Sequence, residues 1–87
     1  MSELRLKAPR TTPPKSMTRS QRHMLRDLGH RDTFTVPLDD VVRNPEGAQA
    51  RVLAWVTAWQ YVHGCSGAVG RTDDHERAVA TFRMYDL

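Results

Sequence analysis

Three arginines on one predicted helix have the type and spacing that suit phosphate binding. Arg19, Arg22 and Arg26 lie three and four residues apart, so a helix places them on one face together with His23. A guanidinium group is a planar fork of N–H donors that matches phosphate oxygens. The pattern favours a basic stripe that contacts a nucleic-acid backbone, and a plain solvated helix face is the alternative.

The stripe continues a concentration of positive charge at the start of the chain. Residues 1–31 contain eight Arg and Lys and two acids, a net charge of +6, whereas residues 32–87 carry −3. The net charge of +3 for the whole chain conceals this asymmetry. The predicted nucleic-acid-binding residues are Arg5, Lys7, Arg10, Lys15, Arg19, Arg22, Arg26 and Arg31.

Other residues of chemically active types do not form a recognisable site. His63, Cys65 and His75 are zinc-capable, but their spacing matches no closed site and Cys65 is the single thiol. A Cys–His nucleophile pair would lack a third group to orient the base. The acid pairs Asp39-Asp40 and Asp73-Asp74 suit caps and turns. We expect no enzyme, no metal and no cofactor.

Length and composition limit the classes of protein to which the chain can belong. Its 87 residues, 39% hydrophobic and 26% charged, are typical of one small globular domain. A single cysteine excludes an internal disulfide framework. No apolar run reaches the roughly 18 residues of a membrane span, and no apolar stretch follows the N-terminal charges as in a secretory signal. We expect a cytoplasmic protein without membrane contact.

Proline and charge divide the chain into an arm and a domain. Pro9, Pro13 and Pro14 block a helix, and few apolar side chains surround them. Residues 1–17 are therefore predicted to be a flexible basic arm, and residues 18–87 a single small α+β domain.

The first helix of this domain begins at a capping box. Thr18 and Gln21 have the spacing at which each side chain bonds the other residue's backbone N–H. Met24, Leu25 and Leu28 continue the apolar face from Gln21. Gly29 is predicted to end the helix in the left-handed conformation.

A short strand and a long helix follow. Alternation of apolar residues predicts a strand over 33–38, with one helical turn over 39–42. Asn44 and Pro45 are typical of a helix start, and Gly64 of a helix end. Trp55 and Trp59 lie on the apolar arc of this long helix and are predicted to be core.

The other side of the long helix carries small residues that allow close approach. The predicted partner interface comprises Ala50, Ala54, Ala58 and Tyr61. It would contact a partner protein or a second copy of the chain, forming a homodimer. The alternative is a row of good helix formers facing water.

The C-terminal segment is predicted to be a β-hairpin with strands near 66–71 and 78–86. Thr81 and Phe82 favour strand by propensity, but a helix beginning near Thr72 also fits the periodicity. Residues 67–70 match a bare GxxG, which in a KH-type module joins two helices and clamps nucleic-acid backbone.

The order of elements resembles the winged-helix arrangement. Residues 34–42, the helix end at 59–64 and the closing segment 82–87 carry the resemblance over residues 18–87. It implies that the third helix enters the major groove and that the hairpin contacts phosphates. The chain departs from this pattern, because Arg51 is the single cation of that helix and the wing tip contains Asp73, Asp74 and Glu76.

Two functions are consistent with the sequence. The first is a small, non-enzymatic, nucleic-acid-binding protein, DNA-binding and regulatory, that uses the basic arm and first helix. The second is an adaptor or inhibitor that binds a host protein or nucleoprotein complex, for example in counter-defence, with the arm on an acidic protein surface. Eleven Arg and two Lys in so short a chain resemble the accessory proteins of phages and mobile elements.

Overall fold

The computed structural model describes residues 4–64 and 67–86, and it confirms an α+β fold with a C-terminal hairpin. Cys65 and the predicted contribution of Ser66 to the hairpin lie outside the described residues. The elements in chain order are β1 Leu4–Lys7, α1 Arg19–Gly29, β2 Thr33–Pro37, α2 Leu38–Arg43, α3 Pro45–His63, β3 Ala68–Asp74 and β4 Val79–Tyr85.

The four strands form one antiparallel sheet in the order β1-β3-β4-β2. β3 and β4 pair from Ala68 opposite Tyr85 to Asp74 opposite Val79, which confirms the hairpin and excludes the helical alternative for the same residues. The GxxG residues 67–70 comprise the residue before β3 and its first three residues, so they do not form a loop between two helices. β2 pairs with β4 on the other side of the hairpin.

Helix α3 provides the centre of the core. Trp55 has no exposed surface and Trp59 only 3%, as the helical periodicity predicts. The ring of Trp55 stacks on Phe34 of β2 with centroids 5.6 Å apart. Its Nε1 donates to the Arg31 carbonyl at 2.8 Å, which satisfies the indole N–H inside the core.

The ends of α1 and α3 follow the local signals with one exception. The capping box of Thr18 and Gln21 forms, Asn44 Oδ1 accepts from the Gly47 N–H, and Gly64 ends α3 at φ 104°. Gly29, however, is not the predicted left-handed terminator but lies buried inside the last turn of α1.

Close packing of the two helices explains Gly29. A Cβ there would collide with the carbonyl oxygen of Ala58 and come within 2.6 Å of Val62 Cγ2. α1 therefore approaches α3 at a distance that only a residue without a side chain allows.

The described part of the basic arm is ordered, which corrects the expectation of a free segment over residues 1–17. β1 pairs with β3, and the Ala8 N–H donates to the Gly67 carbonyl at 3.0 Å. Ala8 is 6% exposed and belongs to the core cluster. Residues 8–17 then form no helix or strand, in agreement with their prolines.

A buried glutamine of α3 holds the segment after β1. Gln60 Nε2 donates to the Pro9 carbonyl at 2.9 Å. Gln60 Oε1 accepts from the Thr11 N–H at 3.0 Å and from Thr11 Oγ1 at 2.8 Å. The strand β1 and this clamp were missed because both join residues about fifty positions or more apart in the sequence.

The contact between α1 and α3 predicts that Gly29→Ala destabilises the protein. A methyl group at this position overpacks the interface, and we expect a loss of about 1–3 kcal/mol in the free energy of unfolding. This outweighs the helix-propensity gain of up to about 1 kcal/mol. Denaturant unfolding measures the change, and Ser20→Ala, exposed on the same helix, is the control. A neutral or stabilising Gly29→Ala would contradict the contact.

The Gln60 clamp predicts that the N-terminal segment contributes to stability. Gln60→Met keeps the length of the side chain but removes three hydrogen bonds, each worth about 0.5–1.5 kcal/mol. We expect a loss of about 2–4 kcal/mol in unfolding free energy and faster hydrogen exchange at the Thr11 amide. Gln49→Met, exposed on the same helix, should change neither quantity. If both variants unfold alike, residues 9–11 are not held by Gln60.

Candidate nucleic-acid interface

One face of the sheet is turned away from the helices. Along β4, Ala80 and Met84 are buried in the core, and because strand residues alternate, Thr81, Arg83 and Tyr85 project from the opposite face. Arg83 is exposed.

The strand register arranges this face, which we call the open sheet face, in rows across the strands. The rows, from β1 through β3 and β4 to β2, are Lys7–Ala68–Tyr85, then Arg5–Gly70–Arg83–Thr33, then Thr72–Thr81–Thr35, and finally Asp74–Val79–Pro37.

Cations flank a floor of small residues on the open sheet face. Gly70 lies directly between Arg5 and Arg83 in one row. The guanidinium carbon of Arg5 is 4.0 Å from the centroid of the Tyr85 ring, a cation–π contact. Lys7 is exposed beside them. This end of the sheet is therefore basic, and Gly70 is buried between the basic side chains.

Most arginines of the second part of the chain are neutralised by acids. The ion pairs, with their N–O distances, are Arg43–Asp39 at 3.1 Å, Arg51–Asp40 at 3.1 Å, Arg71–Asp73 at 2.9 Å and Arg77–Asp74 at 3.8 Å. Of the five arginines beyond residue 31, Arg83 alone has no acidic partner among the described residues.

Seven cations of the first part of the chain have no such partners within the described residues. Among the described residues, no carboxylate pairs with any of Lys7, Arg10, Lys15, Arg19, Arg22, Arg26 and Arg31. Arg22 donates instead to the Met17 carbonyl at 3.4 Å, and His23, not an arginine, lies 3.7 Å from Asp27. The charge asymmetry of the sequence is therefore also an asymmetry in ion pairing.

The predicted nucleic-acid-binding residues occupy three places. Arg5 and Lys7 lie on the open sheet face. Arg19, Arg22 and Arg26 are exposed on α1, and Arg31 follows that helix. Arg10 and Lys15 lie in the segment that joins β1 to α1.

Arg83 and Tyr85 were missed because sequence reasoning did not choose between the two faces of β4. The alternation of Ala80, Phe82 and Met84 with Arg83 and Tyr85 was the available signal. Once the apolar set is assigned to the core, Arg83 must face outward.

The predicted partner interface on α3 does not form one surface. Ala58 is fully buried against α1, so it is not accessible to a partner. Ala50 and Ala54 are exposed, and Tyr61 is half-buried. Ala58 therefore packs against α1 of the same chain and is not available for the predicted contact with a partner chain.

Helix α3 is enclosed on three sides and has little basic surface. The sheet covers Trp55, α1 covers Ala58, and residues 9–11 cover Gln60. Arg51 of this helix is paired with Asp40 at 3.1 Å. The groove-entering role that the winged-helix resemblance implies for the third helix has no exposed cationic face to use here.

The chain matches no family model, no curated protein and no solved structure. Within the described residues, no group of three or more His, Cys, Asp or Glu is placed to hold a metal ion. No helix in the same part of the chain has the length and apolar character needed to cross a membrane. The positions and ion pairing of the basic residues are therefore the observations that indicate a function.

The pairing asymmetry predicts that substitutions of two arginines on neighbouring strands differ in their effect on stability. Arg71 makes two hydrogen bonds to Asp73, at 2.9 and 3.2 Å, and its guanidinium lies 5.7 Å from the centre of the Phe82 ring. We expect Arg71→Gln to lower the unfolding free energy by up to about 1 kcal/mol. Arg83→Gln should leave it unchanged within about 0.5 kcal/mol, because no partner is lost. Thermal unfolding of both variants measures the difference, and equal losses would contradict it.

Proposed function

We propose that the protein binds nucleic acid through cations that have no acidic partner. The observation that carries the proposal is the pairing asymmetry: carboxylates neutralise Arg43, Arg51, Arg71 and Arg77, whereas no carboxylate of the described residues pairs with Arg83 or with seven cations of residues 7–31. Uncompensated charge on a small domain repels itself and therefore favours contact with a polyanion. This function belongs to the cytoplasm, where nucleic acid is accessible.

The physical basis of the binding is release of counterions from the phosphate backbone. Each cation that neutralises a phosphate frees a condensed counterion, so affinity falls as salt concentration rises. Arginine supplies most of these cations and can bond two phosphate oxygens at once. We propose a sequence-tolerant contact, because backbone phosphates are the same at every position.

The first test of this function is the salt dependence of binding. We expect about four to six phosphate contacts, which gives a slope of log affinity against log salt of about −4 to −5 on duplex DNA and somewhat shallower on single strands. Fluorescence anisotropy with a labelled oligonucleotide at several salt concentrations measures it. Absence of binding to both forms of DNA at low salt would overturn the proposal.

Two triple variants with the same change in net charge separate unpaired from paired cations. Lys7→Gln, Arg26→Gln and Arg83→Gln remove three cations without partners, and we expect a loss of about tenfold or more in affinity. Arg43→Gln, Arg51→Gln and Arg77→Gln remove three cations whose carboxylates already compensate them, and we expect less than about threefold. Equal losses would show that net charge alone decides the affinity.

A second candidate, binding to a host protein as an adaptor or inhibitor, is favoured by one specific surface. A shallow, mostly apolar groove runs between α1 and α3 and contains Leu25, Leu28 and Ala54. Met24 beside them is 69% exposed, which is unusual for a large apolar side chain. Met24→Gln, which removes the exposed apolar side chain without a change in charge, should weaken binding of such a protein and leave binding of nucleic acid unchanged.

A further inference from the structure

The open sheet face combines three basic side chains with an aromatic ring. We propose that this face binds single-stranded nucleic acid along the strands β1, β3 and β4. The inference rests on the proposed function and specifies it further, since it names the form of nucleic acid and the surface that holds it.

Charge complementarity favours a polyanion on this face. Its two rows nearest the N-terminal end of β3 contain Arg5, Lys7 and Arg83 and no acidic residue. Among the described residues that the strand register places on this face, the acid is Asp74 at the far end of β3, where Arg77 lies 3.8 Å from its carboxylate. A phosphate backbone placed over these two basic rows therefore meets three cations, and no described residue within the rows is acidic.

The spacing of the cations suits consecutive phosphates of one strand. Arg5 and Lys7 are two residues apart on β1, which separates them by about 7 Å along the strand. Arg83 lies two strands across the sheet, at about 10 Å. Gly70 is buried between them, so a nucleic-acid backbone on this face contacts the guanidinium groups that flank Gly70 and not the floor of the sheet.

The contact between Arg5 and Tyr85 provides a platform for a base. The guanidinium lies 4.0 Å from the ring centroid, so the two groups already form a stack at the edge of the basic rows. Unpaired bases stack on aromatic rings and on guanidinium planes with little dependence on sequence. The hydroxyls of Thr33, Thr35 and Thr81 in the adjoining rows offer donors and acceptors to sugar and base edges.

The shape of the molecule favours a single strand over a duplex on this face. Contact with bases of a duplex requires a helix or a β-ribbon inside a groove. The open sheet face has four strands side by side and presents no protruding helix, and α3 is enclosed on the opposite side. A single strand, with its bases accessible, can lie across such a sheet.

Two triple variants of equal charge change test the location. The sheet variant carries Arg5→Gln, Lys7→Gln and Arg83→Gln, and the helix variant carries Arg19→Gln, Arg22→Gln and Arg26→Gln. Affinity for a labelled oligothymidine of about 12 nucleotides, within the range of single-strand sites, is measured by anisotropy at several salt concentrations. A duplex of the same length is measured in parallel.

We expect wild-type protein to bind the single strand more tightly than the duplex. The sheet variant should lose about tenfold or more in single-strand affinity, and its salt slope should become shallower by about 2. The helix variant should lose clearly less, about threefold, because its cations attract the polyanion from α1 without lying on the open sheet face. Tyr85→Leu, which keeps an apolar side chain but removes the ring, should lose about fivefold or more.

The outcomes distinguish failure of this inference from failure of the proposed function. If the helix variant loses as much as the sheet variant, or if the duplex binds more tightly, the open sheet face is not the site although nucleic-acid binding stands. If wild-type protein binds neither ligand at low salt, both proposals fail. If the sheet variant does not fold, Arg83→Gln alone tests the inference, because Arg83 has no acidic partner among the described residues and its loss breaks no ion pair. An unchanged single-strand affinity of Arg83→Gln would overturn the inference.

Discussion

The packing of α3 against the sheet is the constraint on which the rest of the structure depends. Trp55 and Trp59 provide much of the core, and each indole N–H reaches an oxygen at the start of β2 or just before it. The same helix accepts α1 at Ala58 and the N-terminal segment at Gln60. Because these contacts occupy three sides of α3, the basic surfaces that helices and strands leave for a ligand are α1 and the open sheet face.

The arginines of the folded protein fall into two groups, those paired with carboxylates and those without a carboxylate partner among the described residues. Arg51 and Arg71 join neighbouring segments through carboxylates, and such half-exposed pairs add modestly to stability. Arg83, on the strand next to Arg71, points to the other face and has no carboxylate within the described residues. Arg71 and Arg83 therefore differ in ion pairing, because the alternation of residues along a strand places their side chains on opposite faces of the sheet.

Signals confined to a few neighbouring residues predicted the structure well. The capping box at Thr18, the helix start at Asn44 and the alternation before Tyr85 each depend on contacts within one element or one hairpin. Predictions that needed a distant partner were incomplete. β1 was missed because its pairing strand begins more than sixty residues later, and Gly29 was predicted to be the left-handed helix end because its contact with Ala58 is not visible in the sequence of α1.

The sequence by itself determined the α+β class, the helix termini, the tryptophan core and the separation of positive from negative charge, since each follows from composition or local period. Only the tertiary structure decided which cations are compensated and which share a surface. Ion pairing acts over a few ångströms in space, and the sheet brings Arg5 and Arg83, seventy-eight positions apart in the chain, into one row across Gly70. No single segment of the sequence contains this row, because it forms only when β1 and β4 pair with the two edges of β3.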